Sequence, residues 1–116
     1  MAALQITERR SGNVTVLDLW GQITIGESSE ALRAEIARLS EGGRKKILLH
    51  LGGVNRIDSS GLGNLVACCT SVRRQGGELK LMRLNPRVHD LMVMTKLLTV
   101  FDTYDDEQAA LESFVR

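Results

Sequence analysis

The sequence predicts an α/β fold, a mixed β-sheet with about four helices packed against it in a single domain. Segments with strand-like alternation and segments with helical periodicity follow one another along the chain. One short segment is almost continuously apolar, as strands buried on both faces are. The chain has 116 residues, the size of one ordinary domain, so residues 1–116 are expected to form one unit.

The first strands are predicted from alternating apolar and polar residues. The alternation runs over 4–10 and again over 13–20, and Ser11 and Gly12 between them indicate a hairpin turn. Gly21 is expected to interrupt the second strand, and 22–25 to add a short extended piece before the first helix.

The remaining elements alternate between helices and strands. Apolar residues recur at helical spacing over 28–40 and again from Ser59 or Ser60 to 75. Between these helices, the apolar run at 47–51 is predicted to be the central strand, followed by a loop at 52–57. A strand is predicted at 78–84, and Pro86 is expected to open a third helix. The inward stripe of this helix is expected to be Val88, Leu91, Met92 and Leu98. The last predicted elements are a short strand near Val100 and Phe101 and a terminal helix that holds Ala109, Leu111 and Phe114.

The composition limits the classes of partner and site. Lys and Arg number 15 against 14 Asp and Glu, so no overall charge attracts the chain to nucleic acid. No run of about 18 apolar residues and no leader-like start occurs, so we expect a cytoplasmic protein without a membrane span. Cys68 and Cys69 are adjacent, and His50 and His89 are isolated, so no disulfide, metal or cofactor is expected, only one buried and one half-buried thiol.

The segment Asp58-Ser59-Ser60-Gly61 lies where the chain leaves the predicted central strand and enters a helix. Open α/β sheets commonly bind their ligands at such places. A serine at the cap of a helix accepts hydrogen bonds from free backbone N–H groups, and the same groups, with the helix dipole, can hold a phosphate on that serine. Gly61 and Gly63 leave the first turn without side chains, so that a kinase could approach the backbone closely.

Other interpretations of this segment stay open from the residues alone. Asp-Ser-Ser before an apolar helix is also an ordinary N-cap. A catalytic serine needs a histidine base, but His50 is predicted in a buried strand and His89 on a helix. A nucleotide-binding loop would need a glycine-rich sequence with a lysine, which is lacking around Gly61. We therefore expect a binding protein and no enzyme.

This arrangement resembles the STAS family, named for sulfate transporters and anti-sigma factor antagonists. The apolar strand at 47–51 precedes the matching segment, and 73–79 follows it and leads into the next strand. Within the family the chain is most similar to the stand-alone bacterial anti-sigma factor antagonists. The matching segment reads Ile57-Asp58-Ser59-Ser60-Gly61-Leu62-Gly63.

The resemblance implies a partner switch. An anti-sigma factor that is also a serine protein kinase would bind the unphosphorylated chain and release its sigma factor. The kinase would then phosphorylate Ser59, with Ser60 as the alternative acceptor, and the added charge of about −1.5 to −2 would end the interaction. A serine phosphatase would reset the switch. The partner would contact the segment that begins at Asp58 and includes Gly61, Leu62 and Gly63.

One position departs from the family pattern. Members commonly carry an aspartate in a Gly-x-Leu/Ile-Asp sequence after the second strand, and this chain has Thr24 there. Thr24 supplies no charge, so partner choice is expected to differ, and Glu27 is the candidate substitute. The alternative function is a STAS scaffold subunit of a transporter or stress-signalling assembly, without a phosphorylation cycle.

Two apolar residues of the third helix, Val93 and Met94, fall off its inward stripe. They belong either to a wider core face, which is the favoured interpretation, or to an exposed docking patch. Phe101 and Tyr104 are expected to pack in the core or at an edge of the sheet.

Overall fold

A five-stranded mixed sheet organises the chain in the computed structural model, which describes residues 4–114. The predicted domain limits at residues 1 and 116 lie outside the described residues. The strands follow one another across the sheet in chain order, and the first pair is antiparallel while the others are parallel. They are β1 (Leu4–Ser11), β2 (Val14–Ile23), β3 (Lys46–Ile57), β4 (Glu78–Met82) and β5 (Thr103–Tyr104).

Helices pack against this sheet, as predicted, and they cover both of its faces. They are α1 (Glu27–Glu41), α2 (Ser59–Arg74), α3 (Pro86–Met94) and α4 (Glu107–Glu112). Apolar residues of α1, α2 and α3 share one large core with the sheet, whereas α4 packs over a smaller core on the opposite face. None of the helices between residues 4 and 114 is long and apolar enough to cross a membrane.

The central strand β3 is buried on both faces, as its composition predicted. Leu49 and Leu51 belong to the large core, and Leu48 belongs to the core under α4. This division follows from the alternation of side chains along a strand. The apolar run therefore lies in the middle of the sheet.

The prediction of a loop at 52–57 is wrong, because β3 continues to Ile57. Its neighbour β2 also continues through Gly21, and the two strands pair as far as Ile23 and Ile57. Gly53 allows this pairing, since an ideal Cβ there would lie 2.3 Å from Cδ1 of Trp20. The longer strands bring the start of α1 close to the start of α2.

The later elements differ from prediction in their limits. β4 ends at Met82, since Arg83 adopts a positive φ of 59°. α3 ends at Met94, so Leu98 lies in a separate 3₁₀ turn and not on the stripe of that helix.

The prediction of a strand near Val100 and Phe101 is wrong, because the edge strand lies at 103–104. The packing of two aromatic side chains is confirmed, with Phe101 buried and Tyr104 half-buried.

Both cysteines are buried in α2, so the expectation of a half-buried thiol is wrong. Burial raises the pKa of Cys68 to about 11 and also raises the pKa of Cys69. Among residues 4–114, no three or more His, Cys, Asp and Glu side chains come together in a group that could hold a metal ion.

Candidate functional site

Two connections meet at the carboxyl ends of β2 and β3. β2 leads into α1 through 24–26, and β3 leads into α2 through Asp58. Because the strands are parallel neighbours, both connections lie at the same edge of the sheet. The backbone N–H of Asp58 donates a hydrogen bond of 3.3 Å to the carbonyl of Ile23, which joins the two connections directly.

The Asp58 carboxylate also joins these connections. Oδ1 accepts a hydrogen bond of 2.7 Å from the backbone N–H of Gly61, and Oδ2 accepts one of 3.0 Å from the backbone N–H of Ile25. The hydrogen bonds from Ile25 and then Gly61, together with the charge of Arg56, lower the pKa of Asp58. The carboxylate is therefore ionised at neutral pH and held in one orientation.

Asp58, and not a serine, is the N-cap of α2. Ser59 and Ser60 are the first two helical residues, and both are exposed. Of the described histidines, His50 accepts a hydrogen bond at Nδ1 from the backbone of Gly52, and His89 lies on α3 beside an aspartate. Between residues 4 and 114, neither histidine hydrogen-bonds to Ser59 or Ser60, so neither hydroxyl is paired with a histidine base.

The two glycines of the first turn have different roles. Gly61 is buried, and an ideal Cβ there would lie 2.0 Å from the carbonyl oxygen of Ile23. The expectation that Gly61 opens the surface to a kinase is therefore wrong, because the missing side chain makes room for β2. Gly63 is exposed, and apart from its chain neighbours and the adjacent backbone of α2 no atom lies within 4 Å of its ideal Cβ. Leu62 is buried in the large core, so its side chain is not available to a partner.

The connection that carries Thr24 is held by hydroxyl groups at the start of α1. Ser28 Oγ accepts a hydrogen bond of 3.0 Å from the Thr24 N–H, and the Ser28 and Ser29 hydroxyls donate to the Thr24 carbonyl at 3.1 and 2.8 Å. The Thr24 residue is half-buried. Glu27, the first residue of α1, is exposed and supplies an acidic side chain at this edge.

Comparisons with known proteins agree with this architecture. Residues 5–110 match the model of the STAS domain. The chain belongs to the STAS domain family. It is 30% identical over 99 residues to the anti-sigma-B factor antagonist of Bacillus subtilis strain 168, covering 85% of this chain and 89% of that one. It is 29% identical over 109 residues to the anti-sigma F factor antagonist of Paenibacillus polymyxa, covering 93% and 92%.

The fold is also similar to that of solved structures. The crystal structure of the protein TM1081 from Thermotoga maritima matches this STAS domain with a TM-score of 0.84 and 25% identity. The match covers 96% of this chain and 95% of the other. The structure and the sequence comparisons therefore give the same family.

Sequence reasoning missed two exposed apolar residues of this STAS domain, Trp20 and Ile25, and misjudged two others. Ile25 has a side chain that is 75% exposed, because its backbone is bound to Asp58 and the chain turns at the next glycine. A single isoleucine before a glycine is a weak signal in a sequence. The favoured assignment of Val93 and Met94 to a wider core is wrong, since they are 50% and 79% exposed.

Gly61→Ala should destabilise this STAS domain by about 1–3 kcal/mol, because the added methyl group would displace the Ile23 carbonyl. Gly63→Ala is the matched control in the same turn. It should be neutral or stabilising by up to about 1 kcal/mol, since alanine favours the helix and nothing obstructs its Cβ. Urea unfolding measures both changes, and equal effects would contradict the role assigned to Gly61.

Asp58→Asn should lower the free energy of unfolding at pH 7 by about 1 kcal/mol, because an amide nitrogen cannot accept a hydrogen bond. The pKa of Asp58 is lower in the folded chain than its ordinary value of 3.8. Its charge therefore stabilises the fold above that pH, and the contribution is lost as the pH falls through the folded-state pKa. The difference between wild type and variant should shrink below about pH 4.

Urea unfolding of both proteins at pH 7 and pH 3 checks this dependence. Asp105→Asn, which changes an exposed carboxylate before α4, is the matched control and should change stability by less than about 0.5 kcal/mol. A destabilisation by Asp58→Asn that is equally large at both pH values would show that the charge of Asp58 is not its source.

Proposed function

We propose that this chain is an anti-sigma factor antagonist controlled by phosphorylation of Ser59. In the unphosphorylated state it binds an anti-sigma factor that is also a serine kinase, and this binding frees a sigma factor in the cytoplasm. The observation that carries the proposal is the exposed Ser59 hydroxyl beside the fixed carboxylate of Asp58. Two STAS relatives that match most of the chain are named anti-sigma factor antagonists, which supports the general role.

The position of Ser59 is suited to a reversible modification. It is the first residue of α2, where the backbone N–H groups and the helix dipole favour a negative charge. Its exposed side chain can enter the active site of a kinase or phosphatase without unfolding of the helix. A phosphate on Ser59 should therefore leave the fold intact and act on binding. Ser60 is the alternative acceptor, one residue further into the helix.

Phosphorylation would concentrate negative charge at one point of the surface. The phosphate adds about −1.5 to −2 charges beside the ionised Asp58. Asp58 cannot turn away without losing its hydrogen bonds to Ile25 and Gly61. A partner that covers this edge would have to desolvate both groups, so the complex should dissociate.

The partner surface in this proposal lies around the two connections. Asp58 orients the segment, and Ser59, Ser60 and Gly63 present its exposed side. From the other connection, Glu27 and the exposed Ile25 face solvent. Thr24, in the same connection, is half-buried and contributes no charge where family members commonly have an aspartate. Glu27 supplies the acidic contact instead.

Phosphate transfer is the direct test of the proposed function. We would incubate the chain with ATP and each purified anti-sigma factor of the serine kinase class from the same organism, then locate phosphate by mass spectrometry. We expect one phosphate, on Ser59, and none on the Ser59→Ala variant. Ser60→Ala is the matched control and should be phosphorylated like wild type.

Binding measured by calorimetry completes the test. Phosphorylation of Ser59 should weaken binding to the same anti-sigma factor by about a hundredfold or more, as expected for burying uncompensated charge. If the Ser59→Ala variant is phosphorylated at the wild-type rate, the acceptor is Ser60 and not Ser59. Binding without phosphorylation of either serine would favour the scaffold function, and absence of binding to every candidate would overturn the proposal.

A further inference from the structure

An apolar groove opens between the end of β3 and α3. It has a volume of about 310 Å³. Its apolar lining comes from Ile57 on β3 and from Val88, Leu91 and Met94 on α3. Val88 and Ile57 are buried at its base, whereas Met94 is 79% exposed at the end of the helix. Large apolar side chains left exposed beside a concave surface are typical of interaction sites.

The groove adjoins the segment that carries Ser59. Ile57, part of its lining, directly precedes Asp58, whose carboxylate is bonded to the backbone of Ile25. The exposed Ile25 and the groove therefore both adjoin Asp58, the residue that precedes Ser59.

The charged residues that line the groove indicate what kind of segment would bind in it. Arg56 and Arg87 line the groove and are exposed, and Asp90 is the single acidic residue among its lining. Within residues 4–114, neither arginine forms a salt bridge, whereas Arg9 and Arg38 each do. A bound segment with acidic residues could pair with Arg87, and also with Arg56, whose charge already acts on Asp58.

We propose that this groove receives an apolar segment with flanking acidic residues from the anti-sigma factor. The inference rests on the proposed function and extends it, because the interface then runs from Ile25 across Ser59 to Met94. Apolar contacts in the groove supply binding free energy that does not depend on the Ser59 hydroxyl. Loss of the groove should weaken docking of the kinase without impairing phosphate transfer to Ser59.

Oxidation of Met94 tests the groove in the wild-type protein. Hydrogen peroxide oxidises exposed methionines, and Met82 and Met92 are fully buried internal references. Binding of the purified anti-sigma factor should slow oxidation of Met94 at least fivefold, as read by mass spectrometry, and leave the two references unchanged. An unchanged rate for Met94 in the saturated complex would overturn the inference.

Substitutions in the groove test whether the segment that binds there is apolar and acidic. Met94→Asp and Arg87→Glu, both at exposed positions, should each weaken binding at least tenfold. They should raise KM for phosphorylation of Ser59 while leaving kcat within twofold. Arg74→Glu makes the same change of charge at the exposed far end of α2, and it should alter neither value by more than twofold.

The outcomes separate the groove from the proposed function. If phosphorylation of Ser59 releases the anti-sigma factor but neither groove variant affects binding, the groove inference fails and the proposed function stands. If the wild type binds no anti-sigma factor, both fail. If Met94→Asp instead converts a dimer to a monomer in sedimentation without changing partner binding, the occupant is a second copy of this chain and the inference is wrong.

Discussion

The carboxylate of Asp58 is the interaction on which the candidate site depends. One oxygen caps α2 through Gly61, and the other holds Ile25 in the connection before α1. A single side chain thus fixes two segments that are 33 residues apart in sequence. Because both hydrogen bonds stabilise the ionised form, the carboxylate stays charged and stationary beside Ser59. Partner binding and phosphorylation can therefore act on a preorganised surface.

The bridge made by Asp58 requires close approach of the two connections, and the sheet provides it. β2 and β3 pair as far as Ile23 and Ile57. The helices begin soon afterwards, α1 four residues after Ile23 and α2 two residues after Ile57. Gly61 then allows the first turn of α2 to lie against the carbonyl of Ile23. A side chain at Gly61 would push the helix away and lengthen the hydrogen bonds of Asp58.

The resulting surface combines two kinds of contact. Around Ser59 it is polar, and its affinity for a partner can be changed by one phosphate. Along the groove that ends at Met94 it is apolar, with Arg56 and Arg87 at the rim. In our proposals the apolar part supplies binding free energy and the polar part controls it, because a charge added beside Asp58 opposes desolvation of the whole interface.

The sequence by itself determined the order of strands and helices, the central place of β3 and the location of the Ser59 segment, because periodicity and turn residues are local signals. Only the tertiary structure decided which residue caps α2, why Gly61 is glycine, and that Ile25 and Met94 face solvent. Each of these depends on a contact, or on its absence, between segments distant in sequence. The distance from Gly61 to the Ile23 carbonyl cannot be obtained from the periodicity of the sequence.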